Sequence, residues 1–209
     1  MPSEAQADLV TRIVACRRCV EAPDRSPLPH APRPVLRVSP WARIAICGQA
    51  PGTRVHASGI PFTDPSGVRL REWMGVSQAE FYDTRSIAIV PMGFCFPGLD
   101  AKGGDLPPRS ECAPLWREQV FATLPHLQLV LLIGLYAQKW HLGAAAAKAG
   151  VTNTVAGWQN HYQPHARTAY LPLPHPSWRN TGWLKRNLWF EHELLPVLRG
   201  RVRELISRL

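Results

Sequence analysis

Leu127-Gln128-Leu129-Val130-Leu131-Leu132-Ile133 is an almost unbroken apolar run that ends at Gly134. A run this short, closed by glycine, reads as a strand buried on both faces, the kind that parallel sheets use. Three further runs share its character: residues 43–47, Ile87 to Val90, and Thr168 to Leu173. Helical patterns lie around and between them. Ala7, Leu9, Val10, Ile13 and Val14 recur at helical spacing within residues 4–16. Asp64-Pro65-Ser66-Gly67 opens a helix through Met74, with Pro65 in the first turn, where its missing N–H costs nothing. Glu111 to Leu124, Gly134 to Leu142, the alanine-rich stretch Gly143 to Gly150 and most of Lys185 to Leu209 also read as helical. Strands alternating with helices specify an α/β fold: a three-layer α/β/α sandwich around a central, mostly parallel four-stranded sheet. A chain of 209 residues fits one such domain, spanning 1–209, with residues 1–40 packed on it.

Two of the strands end in unusual turns. Gly48-Gln49-Ala50-Pro51-Gly52 follows the first, and His175-Pro176-Ser177-Trp178-Arg179-Asn180 follows the last. In an open α/β sheet both would reach the carboxyl rim, where ligands bind. Glycine and proline there permit close backbone approach, and His175 supplies a group able to share a proton near neutral pH. The formal net charge of +9 favours an anionic partner, nucleic acid before a membrane surface. No apolar run approaches the roughly 20 residues that span a bilayer. The opening Met1-Pro2-Ser3-Glu4 lacks the basic and apolar regions of a signal peptide, so a cytoplasmic location is expected; the chain is separately expected to be a monomer. Most of the 21 prolines fall in 23–40, 91–114 and 164–176, which reads as long ordered loops.

Cys16 and Cys19 form a CxxC turn, Cys95 lies in a proline-rich loop and Cys112 at a helix start. In a cytoplasmic chain this set points to metal ligation before disulfides, with zinc and an iron–sulfur cluster both open. Cys47, inside the first strand, reads as a small buried apolar residue.

Taken together these segments resemble the iron–sulfur branches of the uracil-DNA glycosylase superfamily. Gly48-Gln49-Ala50-Pro51-Gly52 is similar to the GEAPG motif of that branch, and Gly59-Ile60-Pro61-Phe62, continued by Thr63-Asp64-Pro65-Ser66-Gly67, to the segment after it. His175-Pro176-Ser177 with Arg179-Asn180, then Leu184-Lys185-Arg186, resembles its second motif and following helix. The resemblance implies a [4Fe-4S] cluster on Cys16, Cys19, Cys95 and Cys112, held by the loop within residues 1–40 and by the loop after the second strand.

It also implies a DNA repair enzyme that hydrolyses the N-glycosidic bond of uracil in single- or double-stranded DNA and leaves an abasic site. Such an enzyme must hold an extruded base in a pocket. Gly48, Gln49, Ala50, Pro51 and Gly52 would line it with backbone, and Phe62 would stack on the base. His175 would donate to the oxygen on which charge develops. Asp64 would orient water or stabilise the sugar cation, with the Gln49 backbone helping to place the water. A plain helix cap is the alternative role for Asp64, and His56 the alternative polar group. Ser177 would bond a phosphate, Trp178 or Arg179 would wedge into the minor groove, and Lys185 and Arg186 would add phosphate contacts.

Two departures stand out. Pro91 occupies the position of the asparagine that reads uracil, and it has neither a side-chain amide nor an N–H. Gln49 replaces the glutamate of the first motif. The first departure opens the alternative of hypoxanthine, xanthine or another lesion base. A non-catalytic protein that holds uracil-DNA is a further rival, weakened by the absence of histidine from residues 96–111. A regulatory or RNA-handling iron–sulfur protein on the same fold is the most distant one.

Overall fold

The structure is a computed structural model that describes residues 4–207. The expectation drawn from Met1 to Ser3, and the last two residues of the expected C-terminal helix, lie outside that range. In chain order the elements are α1 (Glu4–Val14), α2 (Arg18–Glu21), β1 (Ile44–Cys47), α3 (Thr53–Ser58), α4 (Pro65–Met74), α5 (Gln78–Tyr82), β2 (Ile87–Ile89) and α6 (Cys112–Ala122). There follow β3 (Leu129–Ile133), α7 (Gly134–Leu142), α8 (Ala144–Ala156), β4 (Ala169–Leu173), α9 (Thr181–Arg186) and α10 (Leu195–Ile206). A π-helical turn, Phe190–Leu194, feeds α10.

The four strands form one sheet in the order β2-β1-β3-β4, and every pairing is parallel. All four expected strands are present, each trimmed by at most two residues. Every residue of β1, β2 and β3 is buried, as strands covered by helices on both sides require. Side chains alternate between the faces. Ile44, Ile46, Ile87, Ile89, Leu129 and Leu131 pack on one face with α4, α5 and α10. Ala45, Cys47, Ala88, Val130 and Leu132 face the other way, where α1, α6 and α7 pack. Cys47 is therefore the buried apolar residue its position suggested. Pro172, which cannot donate to a ladder, sits in β4 at the sheet edge.

Not every element was legible. The stretch after the first motif folds as α3, and α5 begins at a capping box in which Ser77 and Glu80 each bond the other's backbone N–H. The alanine-rich helix runs on past Gly150, where φ is +74° and the helix kinks. The proline-rich segment before β1 is pinned along β2: Val35 N–H donates to the Phe94 carbonyl at 2.8 Å, and Arg37 and Ile89 exchange backbone bonds of 3.0 and 2.7 Å. Strand order reverses between β1 and β3, so the carboxyl ends of the strands open onto a crevice there. No helix among the described residues is long and apolar enough to cross a membrane.

Candidate active site

An open cleft of about 580 Å³ lies over that rim, and it gathers residues from four separate loops: Gln49 to Val55, Asp64 to Ser66, Gly103 with Asp105, and His175 with Ser177 to Arg179.

The first wall grows out of β1. The carbonyls of Gly48 and Gln49 accept from Met92 N–H and Gly93 N–H, both at 2.9 Å, which splices the turn to the loop after β2. The N–H groups of Gln49, Ala50 and Gly52 have no partner among the described residues and line the cleft. Gly52 starts α3 in extended backbone. That helix ends at Gly59, in the left-handed region, where Arg33 Nη1 donates to the carbonyls of His56 and Ala57, each at 2.7 Å.

Beyond it the chain adopts a left-handed conformation at Phe62, φ +57°, which is costly for a side chain with a Cβ. The cause is visible in the packing. Helix α4 presses its backbone at Gly67 so closely on Phe62 that a Cβ there would fall 1.9 Å from the Phe62 carbonyl oxygen. Tyr82 Oη donates to the Pro61 carbonyl at 2.7 Å and holds the bend. The Phe62 ring meets Phe81 edge-on, 5.8 Å between centroids, and lies within contact distance of Gly48. Phe62 is half-buried with its ring tip beside Gly48, and it is not among the residues that line the cleft. Asp64 caps α4, its Oδ1 accepting Gly67 N–H at 3.2 Å, and the same residue lines the cleft. Cap and cleft group coincide in one carboxylate.

The second wall is a small hairpin between residues 98 and 106. Leu106 N–H donates to the Gly98 carbonyl at 2.9 Å, and Asp100 N–H to the Gly104 carbonyl at 2.8 Å. Asp100 Oδ1 accepts the N–H groups of Lys102 and Gly104, both at 2.8 Å, which closes the tip. Gln49 Nε2 donates to the Leu106 carbonyl at 3.2 Å and ties the hairpin to the first wall. The Gln49 side-chain amide nitrogen is therefore committed to the hairpin. The hairpin presents Asp105, a residue the sequence reasoning passed over. Its Oδ2 lies 3.3 Å from where a Cβ on Gly52 would sit. Although Asp105 as a residue stays exposed, its carboxyl is partly desolvated, which raises its pKa; His175 and Arg179 oppose the rise and Asp64 adds to it.

The third component leaves β4. Asn180 Nδ2 donates to the His175 carbonyl at 2.7 Å, and Arg69 Nη1 of α4 to the Ser177 carbonyl at 2.8 Å, so the turn is held from within and from across the cleft. Burial lowers the pKa of His175, against the pull of Asp64 and Asp105, so the ring is neutral at pH 7. Trp178 is 72% exposed at the mouth, with the Arg179 guanidinium 5.8 Å from its ring. Lys185 and Arg186 do not reach the cleft and lie exposed on α9. His56 does not reach it either: its ring packs against His30 and Phe96, 4.3 and 5.7 Å between centroids.

Beneath the floor, Arg117 of α6 is fully buried. Its Nη1 donates to the carbonyls of Val90 and Pro91, each at 3.2 Å, and its Nε donates to His141 Nε2 at 2.9 Å. Burial, reinforced by this guanidinium, pushes the His141 pKa down to about 3, which leaves a neutral acceptor. Pro91 lacks an N–H, and its carbonyl oxygen already accepts one hydrogen bond from Arg117.

A second cavity, apart from the cleft, is lined by Cys16, Cys19, Cys95 and Cys112 together. All are free thiols, and burial raises Cys19 to about 11 and Cys95 and Cys112 to about 12. Phe94 N–H donates to Cys112 Sγ at 3.3 Å. An Arg109–Glu111 ion pair of 2.9 Å closes the cavity beside Cys19. No group of three or more His, Cys, Asp or Glu among the described residues is arranged to hold a metal ion. Compared with known families, residues 36–199 match the model of the uracil DNA glycosylase superfamily.

Proposed function

The chain belongs to the uracil-DNA glycosylase superfamily, a family of hydrolases that act on DNA, and from that premise we propose that it excises uracil from DNA by hydrolysis of the N-glycosidic bond. The observation that carries the reading is the composition of the cleft: Gln49, Ala50 and Gly52, whose amides are unbonded among the described residues, share it with a neutral His175 and with Asp64. The amides suit the edge of an extruded base. As the bond to C1′ breaks, its electron pair passes to the base, and the His175 N–H stabilises the oxygen that gathers the charge. Asp64, held as a helix cap, presents a fixed carboxylate towards the sugar as positive charge grows there. Phe62, whose ring lies beside Gly48 of the first wall, suits stacking on the extruded base. Trp178 and Arg179 at the mouth suit a wedge that fills the vacated stack, and Ser177, Lys185 and Arg186 suit phosphate contacts.

Another deaminated base is the second reading, favoured by Pro91, which brings neither a side-chain amide nor an N–H to the usual reading position. Synthetic duplexes carrying uracil, hypoxanthine or xanthine, incubated with protein and cleaved with alkali, test both. Strand breakage at uracil above the other two supports the first reading; breakage only at a purine lesion replaces it with the second.

We also propose that the cysteine cavity holds a [4Fe-4S] cluster. The donor set fits: four thiols share one cavity, and Cys112 Sγ already accepts an N–H. Tetrahedral zinc, with Zn–S of about 2.3 Å, needs sulfurs about 3.8 Å apart, whereas a cubane takes its thiolates at four separated corners. When bound, the cluster supplies a rigid junction between the N-terminal helices and the loop after β2. Protein purified anaerobically should absorb broadly near 400 nm, about the range of such clusters. Cys112→Ala should lose that band and Cys47→Ala keep it; colourless wild-type protein refutes the assignment.

A further inference from the structure

The cleft contains two carboxylates, and only one of them has a structural task. Asp64 spends Oδ1 on the α4 cap. The Asp105 carboxylate accepts no hydrogen bond from any described residue, although the hairpin that carries it is bonded across its base and its tip. A loop so ordered, presenting an uncommitted carboxylate over a glycine that leaves room for it, is built to hold that group in place. Gly52 is the residue beneath it, and any side chain there would meet Oδ2 at contact distance.

We propose that Asp105 is the general base of the reaction, taking a proton from the water that attacks C1′, while the capped Asp64 stabilises the sugar. This rests on the glycosylase reading above. The water oxygen forms the new bond to C1′ as the bond from C1′ to the base nitrogen breaks. One water proton passes to Asp105, the bond's electron pair leaves with the base, and the base is protonated on release. Asp105 then returns its proton to solvent.

The division of labour follows from the surroundings. A base must be able to accept a proton, so it is better left without donors, whereas a fixed anion is better bonded. The charged and titratable groups facing Asp105 are Asp64 from the α4 cap, His175 and Arg179 from the turn after β4, and Arg54 from α3. Desolvation and Asp64 move Asp105 upward from the ordinary aspartate range, which brings it closer to working pH.

The test is single-turnover excision at saturating lesion DNA from pH 4.5 to 8.5. Wild type should lose rate on the acid side as Asp105 takes up its proton. Asp105→Asn should lower the plateau by a factor of about 10²–10⁴ and abolish that acid limb, with DNA affinity and melting temperature preserved. Asp64→Asn and His175→Ala should slow excision yet keep the limb. Asp105→Glu, which restores a carboxylate, should recover part of the rate and the limb. An Asp105→Asn variant with wild-type rate and an unchanged pH profile overturns the role of Asp105 alone. Wild-type protein inert on uracil, hypoxanthine and xanthine overturns the glycosylase reading and this role together.

Discussion

Asp64 and Asp105 line one cleft, held there by different kinds of contact. The wall of Asp64 is fixed by backbone against backbone: α4 at Gly67 on the Phe62 carbonyl, with Phe62 forced to φ +57°. Such a joint has no rotamers to relax into and tolerates no added atom. The wall of Asp105 is a hairpin closed by its own hydrogen bonds and tethered by one side chain, Gln49 on Leu106. That arrangement is ordered but adjustable. A rigidly held carboxylate and a yielding one together suit a site that must first admit an extruded nucleotide and then position water against it.

Of the three variants that probe this contrast, the one that removes the group between the two carboxylates has the largest expected effect. His175→Ala should cut single-turnover excision by two to three orders of magnitude, about 3–4 kcal/mol, with lesion-DNA affinity nearly intact. The same variant has a stability signature. Folding holds the imidazole pKa below its usual value, so wild type loses stability as pH falls below about 6.5, where the unfolded chain takes up a proton that the folded chain resists. Urea midpoints measured at pH 7.5 and 5.5 should differ less in His175→Ala than in wild type.

Breaking the rigid wall comes next. Gly67→Ala places a Cβ inside the Phe62 carbonyl and should destabilise the fold by about 3 kcal/mol, the upper range for overpacking, lowering the melting temperature and excision together. If the variant melts like wild type, the joint is softer than its geometry implies. The smallest effect belongs to the tether. Gln49→Ala removes one hydrogen bond of about 0.5–1.5 kcal/mol and should speed amide exchange at Leu106 while leaving the melting temperature nearly unchanged. Excision should slow modestly, and equal exchange rates in both proteins count against the tether.

The contrast also explains what could be read in advance. The four strands were visible because parallel strands buried on both faces must be continuously apolar, and the first wall was visible because its glycines and prolines mark backbone-level constraints. Asp64 was legible as a helix cap, since Asp before Pro at a helix start is a local pattern. Its cleft role was the competing reading, drawn from the resemblance, and in the fold the one residue both caps α4 and lines the cleft. Asp105 was not. Nothing local distinguishes Gly103-Gly104-Asp105 from any surface turn, and only the folding of the hairpin back over Gly52 gives it a place. The tether was equally silent, because Gln49 and Leu106 meet only in three dimensions. One signal was overlooked: the hairpin leaves the carboxyl end of β2, the same rim that made the other two turns conspicuous. His56 shows the reverse error, being close in sequence to the first motif but turned by α3 towards His30 and Phe96.

Cys95 and Cys112 stand at the two ends of the segment that carries the hairpin, and both open onto the same cavity. If one cluster binds both, residues 96–111 become a closed ring, and the entropy cost of closing it is offset by iron–sulfur bonds rather than by the sheet. Opening the ring would restore that freedom where Asp105 must be held still. Oxidants that strip the cluster would then silence the cleft from a distance, with Asp64, His175 and the sheet all left in place.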